Sequence, residues 1–454
     1  MKKICLNYSG VMKEFIGASG VSTARIKKYE PAAKAAVEKL LKKRRSKIVG
    51  FADLPYDMKT AGEVCLAAAS IRGKFDCLVV LGIGGSALGA RALIDSLKPP
   101  FFNFLPGSAR EGWPGVIIAD NISPEFIEAL AGIVPLSKTV FNVVTKSGTT
   151  SETLATFSLF LSILKSRFGN DWKKRVFVTT DPEKGFLKKF ADRHGVKSFQ
   201  IPPNVGGRFS VLSSAGLFPA AAAGIDISSL LKGAASMDKL CFGKKLFKNP
   251  AAMFAVLHYF FYKRGRRINV FMPYSESLKT ISDWFAQLWA ESLGKKNDLK
   301  GNKVFVGPTP VKAKGVTDQH SQIQLYTEGP QDKVITFLSV DRMKKLKIPK
   351  LENIFGEFDL SNLFKAEELG TKLSLIKSKR PAMTIHIPEI SAYHIGALLY
   401  MLEAATAIYG EMLNIDTFNQ PGVEYGKRIA REIFASNKKS GGKINASESV
   451  KYRA

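Results

Sequence analysis

The stretch at residues 143–153, VVTKSGTTSET, is the part of the chain that most directly indicates its fold. Two valines end a predicted strand, and hydroxyl side chains, a lysine and a glycine lead into a helix predicted to begin near Glu152. Glycine lets the backbone approach an anion closely, and hydroxyls together with the N–H groups of a helix start supply donors. The stretch predicts a phosphate-binding turn that is not of the Walker type, because GxxxxGK[ST] is absent. An ordinary hydroxyl-rich capping turn would have the same composition.

A second glycine-rich turn lies upstream. Residues 78–82, LVVLG, are typical of a buried parallel strand, and residues 83–89, IGGSALG, lead into a helical pattern from Ala90. The glycine spacing fits a dinucleotide-binding fingerprint only loosely, because the nearest acidic residue after a second strand is Asp120. Two anion-binding turns, each after a strand, favour a phosphorylated small molecule over a dinucleotide.

The composition indicates a globular chain. Its 454 residues, 45% hydrophobic and 23% charged, suffice for about two or three domains. The cysteines Cys5, Cys65, Cys77 and Cys241 are scattered, which favours free thiols in a reducing cytoplasm. No run approaches the ~20 apolar residues of a membrane span, and polar residues interrupt any signal-like apolar stretch after Met1. We expect a cytoplasmic protein that does not associate with membranes.

The net charge of +28 raises the alternative of a nucleic-acid-binding protein. The basic residues are spread widely, however, and zinc-finger spacing, RNP-like aromatic patterns and arginine-rich arms are absent from the sequence. We therefore expect the basic clusters, such as residues 342–347, to be solvated faces and expect no nucleic-acid partner. A positive field would still steer anionic substrates inward.

Short strands alternate with helices, which predicts an α/β architecture with parallel sheets. Strands are predicted at 77–82, 115–119, 140–145, 175–180, 268–272, 303–306, 334–340 and 382–387. Helices are predicted at 31–45, 57–72, 124–133, 152–167, 250–264, 278–293, 318–327, 391–410 and 422–435.

Four segments follow from this pattern. Residues 1–74 are predicted to be a helical segment packed on the core, and residues 75–230 a first α/β domain with the phosphate turns. Residues 249–435 are predicted to be a second α/β domain, joined to the first by a linker around 225–248. Within it, residues 341–380 are expected to be an irregular, charged surface excursion. Residues 436–454 are predicted to be a basic, flexible tail.

A candidate base lies in the helix that ends at Gly294. Glu291 stands beside an apolar stripe and four residues after Gln287, so its carboxylate is expected to be partly desolvated. Partial desolvation raises the basicity of a carboxylate toward the range of a general base. A surface glutamate is the alternative on pattern alone.

Three other side chains suit charge or proton transfer. Arg208 follows two glycines and could stabilise an oxyanion, or simply form a structural salt bridge. His320 lies among polar residues and has the best surroundings of the five histidines for proton transfer, whereas His258 lies on an apolar helix stripe and is expected in the core. Lys427 follows a turn that feeds a helix and would otherwise be a surface lysine.

Six motifs together strongly resemble the glucose-6-phosphate isomerase family, most closely its shorter bacterial form. They occur in the family's order and cover roughly residues 75–435. They are Gly82-Ile83-Gly84-Gly85-Ser86, Thr145-Lys146-Ser147-Gly148-Thr149-Thr150-x-Glu152-Thr153, Gly206-Gly207-Arg208-Phe209-Ser210, Glu291-Ser292-x-Gly294-Lys295, Gln319-His320 and Asn419-Gln420-x-Gly422-Val423-Glu424-x-Gly426-Lys427.

The resemblance implies two sugar-isomerase (SIS) domains, each a doubly wound α/β sandwich with a mainly parallel sheet. It implies metal-independent, cofactor-free interconversion of glucose 6-phosphate and fructose 6-phosphate in a homodimer with a shared active site. Glu291 would be the base, Arg208 would stabilise the cis-enediolate, and His320, donated by the neighbouring subunit, would assist ring opening with Lys427. The substrate would be held by Gly85, Ser86, Thr145, Lys146, Ser147, Thr150, Gln287 and Gln420.

The motifs depart from the family pattern at four positions. Thr145 and Ser147 exchange one hydroxyl residue for another, which changes little. Asn419 replaces a more usual aspartate and leaves local hydrogen bonding open. Leu293 stands where bacterial members often have an acidic residue, which would shift affinity modestly.

Two further alternatives concern the same fold. A related isomerase with dual glucose and mannose specificity would match much less of the chain. A non-catalytic SIS-domain sensor would need the phosphate turns but would have no need of Glu291, Arg208, His320 and Lys427 together.

Overall fold

The computed structural model describes residues 3–351 and 358–439. They form two compact units, the first extending to Thr417 and the second beginning at Phe418. Among the described residues, no helix is long and apolar enough to cross a membrane.

Fourteen strands are present in the described part of the chain. They are β1 (Cys5–Asn7), β2 (Cys77–Leu81), β3 (Gly115–Ala119), β4 (Thr139–Thr145), β5 (Val176–Thr180), β6 (Lys197–Gln200), β7 (Ile268–Pro273), β8 (Lys295–Asn297), β9 (Lys303–Val306), β10 (Thr309–Lys312), β11 (Lys333–Val340), β12 (Lys347–Ile348), β13 (Phe358–Asp359) and β14 (Ala382–Ile387).

The same ranges contain sixteen α-helices. They are α1 (Lys13–Ile16), α2 (Thr23–Lys27), α3 (Glu30–Arg45), α4 (Met58–Ile71), α5 (Leu88–Leu97), α6 (Pro124–Ile133), α7 (Ser151–Phe168), α8 (Phe186–His194), α9 (Ser214–Ala222), α10 (Ile227–Cys241), α11 (Pro250–Lys263), α12 (Lys279–Leu293), α13 (Ile323–Glu328), α14 (Leu360–Lys377), α15 (Ala392–Met412) and α16 (Pro421–Lys439).

The first sheet is parallel throughout, with strand order β3-β2-β4-β5-β6. Its central strands β2 and β4 are completely buried, as expected of parallel strands covered by helices on both faces. Because β2 continues toward β3 and β4 toward β5, the winding reverses between β2 and β4. Ligands of open α/β sheets bind at such a switch point, beyond the carboxyl ends of the strands.

The second sheet repeats this winding. Its order is β1-β14-β11-β7-β10, in which the last four strands are parallel and β1 pairs antiparallel with β14. The predicted fold class, two doubly wound α/β sandwiches with mainly parallel sheets, is therefore confirmed.

Helix α15 forms the centre of the apolar core. It is buried along nearly its whole length and packs against α3, α10, α11 and α12. Glycine permits its closest crossing, because a Cβ on Gly396 would lie 1.9 Å from the backbone oxygen of Leu230 in α10. His258 is buried against Phe254 and Trp289, and its burial lowers its pKa to about 3, in keeping with the predicted core position.

Two segments for which no helix is predicted contain one, so the prediction of an irregular segment at 341–380 is wrong in part. The expected linker at 225–248 contains α10, whose start is capped by the Asp226 side chain accepting from the Ser229 amide at 2.9 Å. The expected surface excursion at 341–380 contains α14. Polar Glu368 and Thr371 belong to the buried side of α14 together with Leu375, so the sequence lacks a clear apolar stripe there.

Smaller differences occur elsewhere. The strand at 303–306 is confirmed, but it pairs with β8 in a hairpin, and β10 forms the sheet edge instead. The helix predicted at 318–327 begins only at Ile323, after a separate 3-10 turn at Thr317–Gln319. Of the predicted tail, residues 436–439 end α16 and residues 440–454 lie outside the described part.

The tight crossing of α10 and α15 predicts a strong asymmetry between two glycine substitutions. Gly396→Ala would drive a methyl group into the backbone of α10 and is expected to lower the free energy of unfolding by about 3 kcal/mol. Gly370→Ala, in α14, meets nothing within 4 Å and is expected to stabilise by up to ~1 kcal/mol through helix propensity. Urea unfolding of both variants checks this, and equal midpoints would contradict the close crossing.

Candidate active site

The turn after β4 gathers hydroxyl groups. The Thr145 Oγ1 lies 2.7 Å from Thr150 Oγ1 and 3.3 Å from Ser147 Oγ, which also accepts from the Thr149 amide at 3.2 Å. Gly148 has φ +65° and passes so close to Gly185 that a Cβ would lie 3.0 Å from its Cα. The turn therefore needs glycine at this position.

Helix α7 starts directly from this hydroxyl cluster. Its N-cap residue is Thr150, and the cap makes no side-chain hydrogen bond, so no capping side chain occupies the first amides. These amides carry the positive end of the helix dipole. The turn thus places several hydroxyl groups beside the first amides of a helix, and its role in binding a phosphate stays a prediction.

The turn after β2 lies beside it. Leu81 and Val143 are register partners in the neighbouring strands β2 and β4, so both turns leave the sheet at the switch point. The 3-10 turn Gly84–Ser86 follows β2. The structure therefore brings Gly85 and Ser86 to the same sheet edge as Thr145, Ser147 and Thr150.

The Gly84–Ser86 turn packs against the 3-10 turn Gly207–Phe209. A Cβ on Gly85 would lie 2.3 Å from the carbonyl carbon of Gly207 and 2.7 Å from the Arg208 nitrogen. The Ser210 hydroxyl donates to the Gly207 oxygen at 2.7 Å and lies 3.3 Å from the Gly85 oxygen. Because both turns have glycine at their contact, their backbones touch, and Arg208 lies next to the turn after β2.

The Arg208 side chain is held on every edge. Its side chain is 1% exposed, its Nε donates to Ser292 Oγ at 2.7 Å, and one terminal nitrogen donates to the Thr417 oxygen at 2.6 Å. The other terminal nitrogen lies 3.2 Å from Glu291 Oε1. Burial lowers the pKa of Arg208, while Glu291 and Asp416 raise it. A guanidinium remains protonated under such conditions, so a fixed cation faces Glu291.

Glu291 occupies the last turn of α12. Its side chain is 23% exposed, so the carboxylate remains accessible although its partner arginine is buried. Gln287, one turn earlier, donates from Nε2 to Glu291 Oε2 at 3.0 Å. The same Nε2 lies 3.1 Å from the position of a Cβ on Gly84, which has φ +58°. Gln287 therefore links the candidate base to the turn after β2.

Two lysines interact with Arg208 or Glu291. Lys295 donates from Nζ to the backbone oxygen of Glu291 at 2.8 Å, and its burial, with Arg208 nearby, lowers its pKa to about 8. Lys146 donates to the Pro203 oxygen at 2.8 Å, and burial likewise lowers its pKa. The Arg208 charge also lowers the pKa of Lys146, whereas Asp181 raises it.

His320 lies at the other end of α12. Lys314, six residues before it, forms a 2.9 Å ion pair with Glu276, which precedes α12. Glu291 lies in the last turn, and a 15-residue helix such as α12 is about 22 Å long. His320 is exposed, and no hydrogen bond or ion pair between the described residues joins its ring to Glu291.

Gln420 and Lys427 belong to the second unit, which begins at Phe418. Gln420 directly precedes α16. Lys427 lies within α16, where its ammonium is 3.2 Å from Glu424 Oε1 and both side chains are at least half exposed.

Several neighbours of Arg208 and Glu291 have no role predicted from the sequence. Ser292 and Lys295 both stand in the Glu-Ser-x-Gly-Lys motif, so their spacing from Glu291 was a usable signal. Asp416 and the backbone oxygen of Thr417 gave none, because a main-chain acceptor leaves no mark in a sequence. No group of three or more potential metal-ligating residues occurs within residues 3–351 and 358–439.

Comparison with known proteins identifies the family. A family model described as phosphoglucose isomerase matches residues 68–451. The chain is 43% identical over 431 residues to a glucose-6-phosphate isomerase of Carboxydothermus hydrogenoformans, covering 93% of each. It is 38% identical over 419 residues to a glucose-6-phosphate isomerase of Thermus thermophilus, covering 90% of this chain and 96% of that one. The chain therefore belongs to the phosphoglucose isomerase family, as the resemblance of its motifs predicts.

Solved structures agree on the fold. A crystal structure of a hypothetical protein from Thermus thermophilus matches with a TM-score of 0.85 and 36% identity, covering 95% of this chain and 100% of that one. A glucose-6-phosphate isomerase from Chlamydia trachomatis matches with a TM-score of 0.73 and 23% identity, covering 84% of this chain and 74% of that one. The two-sheet α/β architecture is thus shared with both solved structures.

The buried position of Arg208 predicts the effect of Ser292→Ala. Loss of the hydroxyl leaves a buried guanidinium N–H without its acceptor, and the free energy of unfolding is expected to fall by about 1–3 kcal/mol. Ser158→Ala in α7 is the matched control, because Ser158 is an exposed helical serine and its loss is expected to be neutral or slightly stabilising. Urea denaturation compares the two, and equal stabilities would contradict the described hydrogen bond.

Proposed function

We propose that this member of the phosphoglucose isomerase family interconverts glucose 6-phosphate and fructose 6-phosphate by proton transfer through a cis-enediolate. The observation that carries the proposal is the 3.2 Å contact between the buried Arg208 guanidinium and the accessible Glu291 carboxylate. Moving a proton between carbons next to a carbonyl requires a base and a cation near the developing oxyanion. Both groups lie beside a set of anion-binding turns, which suits a phosphorylated substrate.

The phosphate is proposed to bind at the switch point of the first sheet. Hydroxyls of Ser86, Thr145, Ser147 and Thr150 and the first amides of α7 would donate to its oxygens, as would the backbone at Gly85 and the ammonium of Lys146. The phosphate is remote from the reacting carbons, so its binding energy can position them. The positive net charge of +28 supports steering of such a dianion toward the site.

The chemical step is proposed to use Glu291 as the single base. Its carboxylate would take the proton from C2 of the open aldose and return it to C1, while the proton of the C2 hydroxyl moves to the C1 oxygen; the ketose would react by the reverse transfers. Arg208 would stabilise the charge on the enediolate oxygen, and a preorganised donor of this kind contributes about 10²–10³-fold to a rate. Because its acceptors fix the guanidinium in advance, little reorganisation is needed in the transition state. Gln287, bonded to Glu291, would line the sugar.

Ring opening needs a second acid–base group near the ring oxygen, and we propose that His320 and Lys427 supply it, with Gln420 lining the sugar. The position of His320 beyond the amino end of α12, away from Glu291, supports donation from a second copy of the chain. A homodimer with a shared active site is therefore part of the proposal.

The proposal includes the setting of the enzyme. All four cysteines are free, which supports a reducing cytoplasm. We propose that the reaction needs neither metal nor cofactor and that neither nucleic acid nor membrane is a partner. The four predicted segments, residues 1–74, 75–230, 249–435 and 436–454, remain the proposed domain division.

A coupled assay tests the activity. Purified protein is supplied with fructose 6-phosphate in the presence of EDTA, and formation of glucose 6-phosphate is followed. Rapid turnover is expected. Absence of turnover combined with measurable fructose 6-phosphate binding would contradict the proposal and would favour a phosphosugar sensor or the related isomerase of dual specificity.

Glu291→Gln is expected to reduce kcat by at least ~10³-fold, because an amide cannot accept the proton, while phosphate-ligand affinity changes little. Titration with fructose 6-phosphate separates binding from turnover. Glu128→Gln, an exposed glutamate of α6, serves as the charge-matched control with unchanged kcat. Unchanged turnover in the Glu291 variant would overturn the assignment of the base.

Subunit mixing tests the position of His320. Glu291→Gln and His320→Ala would each be nearly inactive alone, but if the histidine acts across a dimer, each mixed dimer regains one site with both residues intact. Random re-association of equal amounts is expected to restore about a quarter of wild-type activity, because half of the dimers are mixed and each has one intact site. Activity that stays at the level of the separate variants after verified exchange would contradict donation between subunits.

A further inference from the structure

We propose that Lys295 is a positioning residue for the catalytic base, holding the last turn of α12 through a charge-assisted hydrogen bond. The inference rests on the function proposed above and assigns a role to a residue outside the set of catalytic and substrate-binding groups.

The geometry places Lys295 directly on the backbone of the base. Its Nζ donates to the Glu291 oxygen at 2.8 Å, and the residue is 8% exposed. Carbonyls in the last turn of a helix have no intrahelical partner, so this bond satisfies one that would otherwise be left over. Lys295 itself begins β8 and is paired with Val306 of β9, which fixes its backbone. The turn that carries Glu291 is therefore fastened to a hairpin.

The surrounding charges explain why a cation is needed there. A carboxylate at the carboxyl end of a helix faces the negative end of the helix dipole, which disfavours its ionised form. Lys295 and Arg208 supply positive charge, whereas Asp416 and Glu291 supply negative charge, and all four interact electrostatically. These four residues carry two charges of each sign. Loss of Lys295 would leave Arg208 as the one positive charge among them, beside the two carboxylates of Glu291 and Asp416.

The Lys295 ammonium is also expected to lose its proton near pH 8. Its burial, together with repulsion from Arg208, lowers its pKa to about 8, although Asp416 and Glu291 act in the opposite direction. Below that value Lys295 carries its charge, and its hydrogen bond to the Glu291 oxygen is charge-assisted. As the pH rises through it, the charge is lost and the hold on the last turn of α12 weakens. The rate is therefore expected to decline above about pH 8.

Lys295→Met and Lys295→Gln test the proposal against Lys296→Met. Lys296 is the next residue of β8 and is exposed, so its variant removes the same charge from the same strand. The Met variant is expected to lose roughly 30-fold in kcat with KM within about twofold, because misplacing a base costs the chemical step more than binding. The Gln variant can still donate to the carbonyl, but only through a weaker, neutral hydrogen bond, so it isolates the effect of charge and is expected to lose less kcat than the Met variant.

The pH profile distinguishes positioning from a general loss of stability. In both Lys295 variants the decline of kcat/KM above pH 8 is expected to disappear, because no lysine charge is left to titrate, while Lys296→Met keeps the wild-type profile. If the Met variant does not fold, the Gln variant decides.

An unchanged decline above pH 8 in Lys295→Gln, with activity equal to wild type or lowered equally at every pH, would overturn the proposal. An inactive wild type would instead overturn the proposed isomerase, and it is measured first so that the two failures are distinguishable.

Discussion

The contact between two glycine turns is the constraint on which the candidate site depends. The Gly84–Ser86 turn belongs to the first sheet's switch point, and the Gly207–Phe209 turn carries Arg208. A side chain on Gly85 would collide with the Gly207 carbonyl carbon at 2.3 Å, so only bare backbone brings the turns together. The hydroxyl-lined turns, the Arg208 guanidinium and the Glu291 carboxylate are thereby brought together, although these residues are far apart in the sequence.

The duplicated winding of the sheets does not duplicate this site. At the second switch point the chain leaves β7 at Tyr274, whose amide donates to the Leu338 oxygen at 2.8 Å. The Tyr274 ring is fully buried against Phe337 and Phe364, and its hydroxyl donates to Gln319 at 2.6 Å. An aromatic ring thus fills the position that glycine and hydroxyl residues leave open in the first sheet. The chain leaving the second sheet instead forms α12, which carries Glu291.

Much of this was predictable because the relevant patterns are local. Buried strands such as β2 and β4 are continuous apolar runs, and the turns after them carry glycine and hydroxyl residues that few other structures require. Helix α14 is not predicted from the sequence because its buried side includes Glu368, a polar residue. Glu368 accepts from the Ser339 hydroxyl at 2.9 Å, and Ser339 is remote in the sequence. The Arg208–Glu291 contact and the Thr417 acceptor are likewise tertiary, and no spacing rule encodes them.

In the proposed reaction, the accessible Glu291 carboxylate carries a proton between two carbons beside a fixed Arg208 cation. Isomerisation of fructose 6-phosphate in D₂O with EDTA present, followed by NMR at C2 of the glucose 6-phosphate formed, tests it most directly. A carboxylate whose side chain is 23% exposed can exchange its proton with solvent before returning it, so deuterium is expected at C2. Product formed at full rate with hydrogen alone at C2 would show that the transferred hydrogen does not pass through a carboxylate that exchanges with solvent, and would contradict this role of Glu291.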